Sequence, residues 1–216
     1  MMKLANAKIV SGLENPSQVM SLLETIGRIS HASGPSKSLE TADKFVSMLI
    51  RLGHESVLEH VSVTVLVECD RAMAQQWTRH RLAAYTMESQ RYVSYKDDLS
   101  FIDPEFRVGT TYYTESEPGE AAELYSNLNS ACILAKEEYQ LLRDGGAPPE
   151  DARAVLPNCA RTLFYTTANL RSWRHIFNER CAPGAQHNIR RVMKDLLKQF
   201  HTLLPVVFQD LVDKYK

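Results

Sequence analysis

Residues 61–69 read VSVTVLVEC, and no other stretch constrains the fold as tightly. Val61, Val63, Val65 and Val67 fall on one side of an extended chain, with Ser62, Thr64 and Glu68 on the other, the pattern of a half-buried strand. Helical spacing of apolar residues precedes it twice. PSQVMSLLETIGRIS (16–30) is one such segment, and ETADKFVSMLIRLG (40–53) carries Ala42, Phe45, Val46, Leu49 and Leu52 before Gly53 supplies a stop. HASGPSKS (31–38) between them is a loop by composition. After the strand, Asp70 is suited to cap a short helix, RAMAQQWTRHR.

The remaining elements do not alternate strand with helix. A short strand is expected near Lys8 to Val10, and RYVSY (91–95) and LSFI (99–102) read as further short strands, with a loop between the helix after Asp70 and RYVSY. EAAELYSNLNSACILAKEEYQLLRDGG predicts a long helix ended by Gly145 and Gly146, followed by a short helix in PPEDARAVLP, bracketed by prolines. RTLFYTT is a candidate strand and NLRSWRHIFNER a helix capped by Asn169. The last helix runs from about Gln186 past Leu204, with a kink at Pro205. No repeat or linker is evident. The reading is one α+β domain over 1–216, an antiparallel sheet packed with helices.

Composition narrows the function. The formal charge of -1 opposes a nucleic-acid-binding module, which usually carries a basic excess. Cys69, Cys132, Cys159 and Cys181 are scattered without a C-x-x-C pair, and no apolar run is long enough to span a membrane, so a soluble cytoplasmic protein is expected. The arginines are not scattered. Ten of 15 lie in windows 79–91 and 153–191, which hold no lysine and only Glu88 and Glu179 as acidic residues. Guanidinium is a planar fork suited to phosphate, carboxylate and flat rings. The pattern fits a pocket for a small, flat anion such as a nucleotide, unless carboxylates elsewhere in the fold pair with these arginines.

Other chemistries find no motif. His54 and His60 in HESVLEH are six positions apart, too far for the zinc pair of H-E-x-x-H, so no metal is expected. Neither a dinucleotide-binding glycine fingerprint nor a P-loop is encoded, and no cysteine sits in a nucleophile motif.

RHRLAAYTMESQR (79–91) satisfies R-H-R, seven residues, S, one residue, R. In this it resembles the flavin-dependent thymidylate synthases, the thymidylate synthase-complementing family. RISHASG, GHESVLEH, AQQWTRHR, DARAVLP, NLRSWRHIFNER and AQHNIRR follow that family's order over residues 28–191. The resemblance implies reductive methylation of dUMP to dTMP, with 5,10-methylenetetrahydrofolate as carbon donor and NADPH-reduced FAD as hydride source. It implies no cysteine nucleophile, and a homotetramer with active sites shared between subunits. Another flavoenzyme activity on the same scaffold is the alternative.

By motif, the FAD positions are Ser30, Ser56, Arg79, His80, Arg81, Met87, Asn169, Leu170, Arg171, His175 and Gln186. The dUMP positions are Gln76, Trp77, Thr78, Arg79, Met87, Glu88, Ser89, Gln90, Arg91, Arg153 and Arg180. Trp77 and Phe177 also read as core aromatics. Arg180 resembles the arginine that favours ionisation at uracil N3, Ser89 a hydrogen-bonding partner of the substrate, and His54 the imidazole that stacks folate against flavin. Two positions depart from the family: Met87, where a Glu or Gln is common, and Gly184, where a His is common.

Overall fold

The computed structural model describes residues 2–29, 39–95 and 98–216. Its elements run β1 (Asn6–Ser11), α1 (Pro16–Ile29), α2 (Leu39–Arg51), β2 (Ser62–Asp70), α3 (Arg71–Trp77), β3 (Ala84–Met87), β4 (Arg107–Val108), β5 (Thr111–Tyr112), α4 (Ala122–Asp144), α5 (Pro149–Ala152), β6 (Arg161–Asn169), α6 (Leu170–Arg180), α7 (His187–Leu203) and α8 (Pro205–Lys214). The main sheet has the order β1-β2-β6-β3, and β4 and β5 form a separate antiparallel hairpin.

The alternation of β2 is realised: Val63, Val65, Val67 and Cys69 are wholly buried while the residues between them are half-exposed. Each buried valine contributes about 1.5–3 kcal/mol through removal of its side chain from water. Cross-strand pairs fix the direction of the neighbours. Thr64 Oγ1 meets Thr167 Oγ1 at 2.8 Å, and Glu68 meets Arg161, so β6 descends as β2 ascends. Asn6 Nδ2 donates to Glu68 at 3.2 Å at one end of β1. At its other end Gly12 has φ +101°, and a Cβ there would lie 2.2 Å from the Ser62 carbonyl oxygen, so only glycine permits this approach. The class is α+β, as expected, with an antiparallel sheet.

The chain divides into two compact units. The first comprises Met1–Asn6, Val67–Arg79 and Thr86–Phe164. Trp77 packs edge-on against Phe164 in its core, and Tyr139 joins Tyr95, Leu99 and Ala152. The buried carboxylate of Asp103 accepts from the Glu105 and Glu115 backbone N–H groups and from the Tyr125 hydroxyl, tying the hairpin region to α4.

The second unit comprises Ala7–Leu66, His80–Tyr85 and Tyr165–Lys216. Trp173, Phe177, Phe200 and Phe208 form its ring cluster, contributed by α6, α7 and α8. The Trp173 indole N–H donates to the Val63 carbonyl at 3.1 Å, docking α6 on β2. At the end of α2, Gly53 (φ +74°) donates to Ile50 O while His54 N donates to Leu49 O, a Schellman closure that fixes where His54 leaves the helix.

Several expectations need correction. RYVSY is a turn rather than a strand, because Ser89 O accepts from both Tyr92 N and Val93 N. LSFI contains only isolated bridges, Phe101 with Ala160 and Ile102 with Lys3. The stretch read as loop before it contains β3. The long C-terminal helix is two helices, since Leu204 (φ -131°, ψ 67°) leaves helical geometry ahead of Pro205, which opens α8. Among the described residues no helix is long and apolar enough to cross a membrane.

Candidate active site

In the first unit, α3 carries the approach to the signature. Asp70 caps it by accepting from Met73 N at 2.6 Å, as its sequence position suggested, and burial raises this carboxyl above its usual range. At the other end Thr78 Oγ1 donates to Ala74 O at 3.0 Å; Gln76 and Thr78 are half-buried and Arg79 is exposed. Trp77 is wholly buried, so its ring is a core anchor and only its main chain can meet a ligand.

Beyond β3, Met87 Sδ accepts from Arg71 Nη1 at 3.3 Å, a weak acceptor where the resembling family often has a carboxylate or amide. Ser89 Oγ accepts from Arg91 N at 3.3 Å, so its described hydrogen bond serves the turn and no base is seen on it. Glu88 and Gln90 are half-buried beside it. Arg91 Nε pairs with Glu150 Oε2 at 3.0 Å, and Arg153 Nε donates to the carbonyl of the same Glu150 at 3.0 Å. Glu150 therefore gathers two dUMP candidates that are far apart in sequence. Sequence reasoning missed it, and also missed Arg71, because neither lies in a motif that distinguishes it.

In the second unit, α6 supplies the other half of the candidates. Asn169 Oδ1 accepts from Ser172 N at 2.8 Å, which caps α6 with the side-chain oxygen and leaves the Nδ2 amide group as a donor for another contact. Leu170 is wholly buried and has no side chain to offer. Arg171 is exposed and pairs with Glu59. Arg174 is buried: its Nη1 and Nη2 bind Asp210 at 2.8 and 2.7 Å, and its Nε binds Glu55 at 3.0 Å. His175 is exposed with its ring edge-on to His80, centroids 6.2 Å apart.

The two arginine windows meet at Arg180, whose Nε donates to His80 Nε2 at 2.9 Å. That contact requires an unprotonated Nε2, and the surroundings enforce it. Burial first, then the charge of Arg180 and the proximity of His175, lower the His80 pKa to about 4 against a smaller opposing effect of Glu179. At neutral pH the ring is uncharged with its proton on Nδ1. Its main-chain carbonyl accepts from the Tyr85 hydroxyl at 2.7 Å, a further tether absent from the motif reading.

Arg79 and Arg81 are exposed and have no ion pair among the described residues. His54 and Ser56 are exposed at the turn after α2, and the His54 side chain makes no capping hydrogen bond. Gln186 stands at the start of α7, and a Cβ at Gly184 would meet nothing within 4 Å. Ser30 lies outside the described residues. Carboxylates outside the windows thus pair with Arg91, Arg161, Arg171 and Arg174, from positions 150, 68, 59, and 55 with 210. The expected uncompensated charge is confined to fewer residues than the sequence suggested.

The profile of the thymidylate synthase complementing protein family matches residues 13–206. The chain belongs to this family. It is also an enzyme of the family's type, as its named relatives indicate. A flavin-dependent thymidylate synthase from Geobacter sulfurreducens is 38% identical over 167 residues, 77% of this chain and 68% of that protein. One from Clostridium tetani is 33% identical over 180 residues, 80% and 71% of the two chains. A probable member from Mycobacterium phage D29 is 33% identical over 183 residues, covering 81% and 74%. Among solved structures, the UMP/dUMP methylase PolB from Streptomyces cacaoi, bound with 5-Br dUMP, shares the fold with a TM-score of 0.78. At 24% identity it spans 96% of this chain and 94% of its own. The donor chemistry suits a flavin: Arg79 and Arg81 are exposed cations with no carboxylate partner among the described residues, and His80 between them in sequence is a neutral imidazole.

Proposed function

We propose that the chain methylates dUMP to dTMP reductively, with 5,10-methylenetetrahydrofolate as carbon donor and FAD reduced by NADPH. The family match over residues 13–206 supports a catalytic domain that occupies the whole chain, and the relatives named flavin-dependent support FAD. The observation that carries the reading is the Arg180–His80 hydrogen bond, which joins the signature to the second arginine window.

The residues divide by chemistry. Arg91 and Arg153, gathered at Glu150, supply forks for the nucleotide phosphate, with Gln76, Thr78, Arg79, Glu88, Ser89 and Gln90 around the nucleotide. The departure at Met87 contributes bulk and a weak acceptor, not a charge. Arg180 stabilises the uracil ring ionised at N3: a fixed cation lowers the pKa of that site and enriches C5 with electrons for attack on the methylene carbon. The substrate is then activated without a covalent bond to the enzyme, and Ser89 acts as a hydrogen-bonding group. FAD, when bound, supplies the hydride that turns the transferred methylene into a methyl group. Its holders are Arg79, His80, Arg81, Asn169, Arg171, His175, Ser56 and Gln186, with Leu170 anchoring the start of α6 through its N–H to the Val61 carbonyl, and His54 stacks the folate. The working form is a cytoplasmic homotetramer whose sites draw on more than one subunit.

The test is an anaerobic assay of purified protein with dUMP, methylenetetrahydrofolate, FAD and NADPH, with dTMP measured by chromatography. dTMP that requires both FAD and NADPH is the expected result. NADPH-driven flavin reduction without dTMP would replace this reading with a related flavin reductase and direct attention to Met87.

A further inference from the structure

Cys132 on α4 and Cys159, just ahead of β6, lie in the first unit with their sulfurs 3.6 Å apart. Cys132 is buried and Cys159 half-buried. The remaining thiols, Cys69 and Cys181, are buried and have no described sulfur partner. Spacing in the sequence hides this pair, since 27 positions separate its members.

We propose that Cys132 and Cys159 form a reversible dithiol–disulfide couple, closed by a hydroperoxide and reopened by a dithiol reductant. A disulfide holds its sulfurs about 2.05 Å apart, so closure needs about 1.5 Å of approach, the scale of a side-chain rotation. The Cys159 side is held in place: Asn158 O accepts from Arg71 N at 3.0 Å, Ile102 N donates to Cys159 O at 2.9 Å, and Ala160 N donates to Pro157 O at 3.0 Å. The backbone is thus fixed on the Cys159 side, as α4 fixes it for Cys132, and closure is a matter of side-chain rotation.

The two sulfurs are not equivalent. The hydrogen bond shared by the two sulfurs holds the Cys159 thiol below its ordinary range and raises Cys132, with Asp70 opposing the first shift and Glu115 reinforcing the second. The Cys159 thiolate attacks one oxygen of the hydroperoxide; an S–O bond forms, the O–O bond breaks, and the departing alkoxide takes a proton to become an alcohol. Cys132, losing its proton, then attacks the Cys159 sulfenic acid; the S–S bond forms, the S–O bond breaks, and water leaves. Two thiols are oxidised by two electrons and one hydroperoxide is reduced. Burial pushes Cys69 upward and Cys181 to about 12, so neither competes as a thiolate.

The experiment treats the reduced protein with one equivalent of tert-butyl hydroperoxide, quenches it, alkylates remaining thiols in denaturant, and maps peptides without reduction. A Cys132–Cys159 cross-linked peptide is expected, lost on adding dithiothreitol. Cys69 and Cys181 should be alkylated throughout, losing thiol at least about tenfold more slowly, as a pKa difference of one unit or more dictates. In Cys132→Ser, Cys159 should stop at a sulfenic acid trapped by dimedone. Oxidation of Cys159 in the wild-type protein while Cys132 stays alkylatable would overturn the proposal, as would a disulfide joining any other pair. The wild-type map decides this even if the variant folds poorly, and it does not depend on the reaction proposed above.

Discussion

Arg174 and Arg180 share helix α6, yet one is consumed by the fold and the other is presented. Arg174 is 5% exposed, clamped by both oxygens of Asp210 and by Glu55. Its guanidinium is neutralised where it stands, which is what lets it be buried at all. The described partner of Arg180 is an uncharged imidazole. That acceptor directs the guanidinium and brings no counter-charge of its own. Arginine count therefore says little about a site; Arg91 and Arg171, which meet Glu150 and Glu59 while more than half exposed, stand between these two cases, so burial has to be weighed together with the acceptor's charge.

The comparison can be broken most directly at Arg174. Arg174→Ala leaves Asp210 and Glu55, which water can partly reach, without their shared cation and removes a buried side chain, and a loss of about 1–3 kcal/mol in denaturant unfolding is expected. Equal stability in mutant and wild type would remove the contrast. Arg180→Ala should do the opposite: unfolding little changed, dTMP turnover down about 10²–10³-fold, with bound FAD retained. Full turnover in that variant would refute the role assigned to Arg180.

His80 sharpens the contrast through pH. Its folded pKa of about 4 lies below an ordinary histidine value of about 6.5, so between these limits the unfolded chain takes a proton that the fold excludes. The stability it contributes is complete above about pH 6.5 and is lost as pH falls toward 4. His80→Gln keeps a hydrogen-bond acceptor without titrating, so its thermal midpoint should fall less than that of wild type between pH 7 and 5. Parallel curves would mean His80 is not held neutral. The smallest effect belongs to Arg171→Ala: the Arg171–Glu59 pair is about half exposed, and a change below about 1 kcal/mol is expected.

How much was legible in the sequence follows the same division between local and distant causes. The alternation of β2, the caps at Asp70 and Asn169 and the stop at Gly53 are local signals, and each element stands where they put it. β3 escaped notice because four residues, AYTM, become a strand through pairing with β6, a partner far along the chain. The two-residue strands β4 and β5 are too short to show a period. In the site, the motif residues were readable but their counter-ions were not. Glu55, Glu59, Glu68, Glu150 and Asp210 lie outside both arginine windows, and only folding reveals which cation each one meets. Trp77 and Leu170 fall inside recognised motifs, yet burial turns their side chains inward.

The break at Pro205 has a practical consequence for anyone who trims this protein. The family match ends at residue 206, while the turn ahead of Pro205 sends α8 back so that Asp210 reaches Arg174. A boundary drawn from the match alone would cut between a cation and its anchor. The excised piece would take Phe208 from the ring cluster along with Asp210, and its removal would be felt on α6, the helix that ends in Arg180.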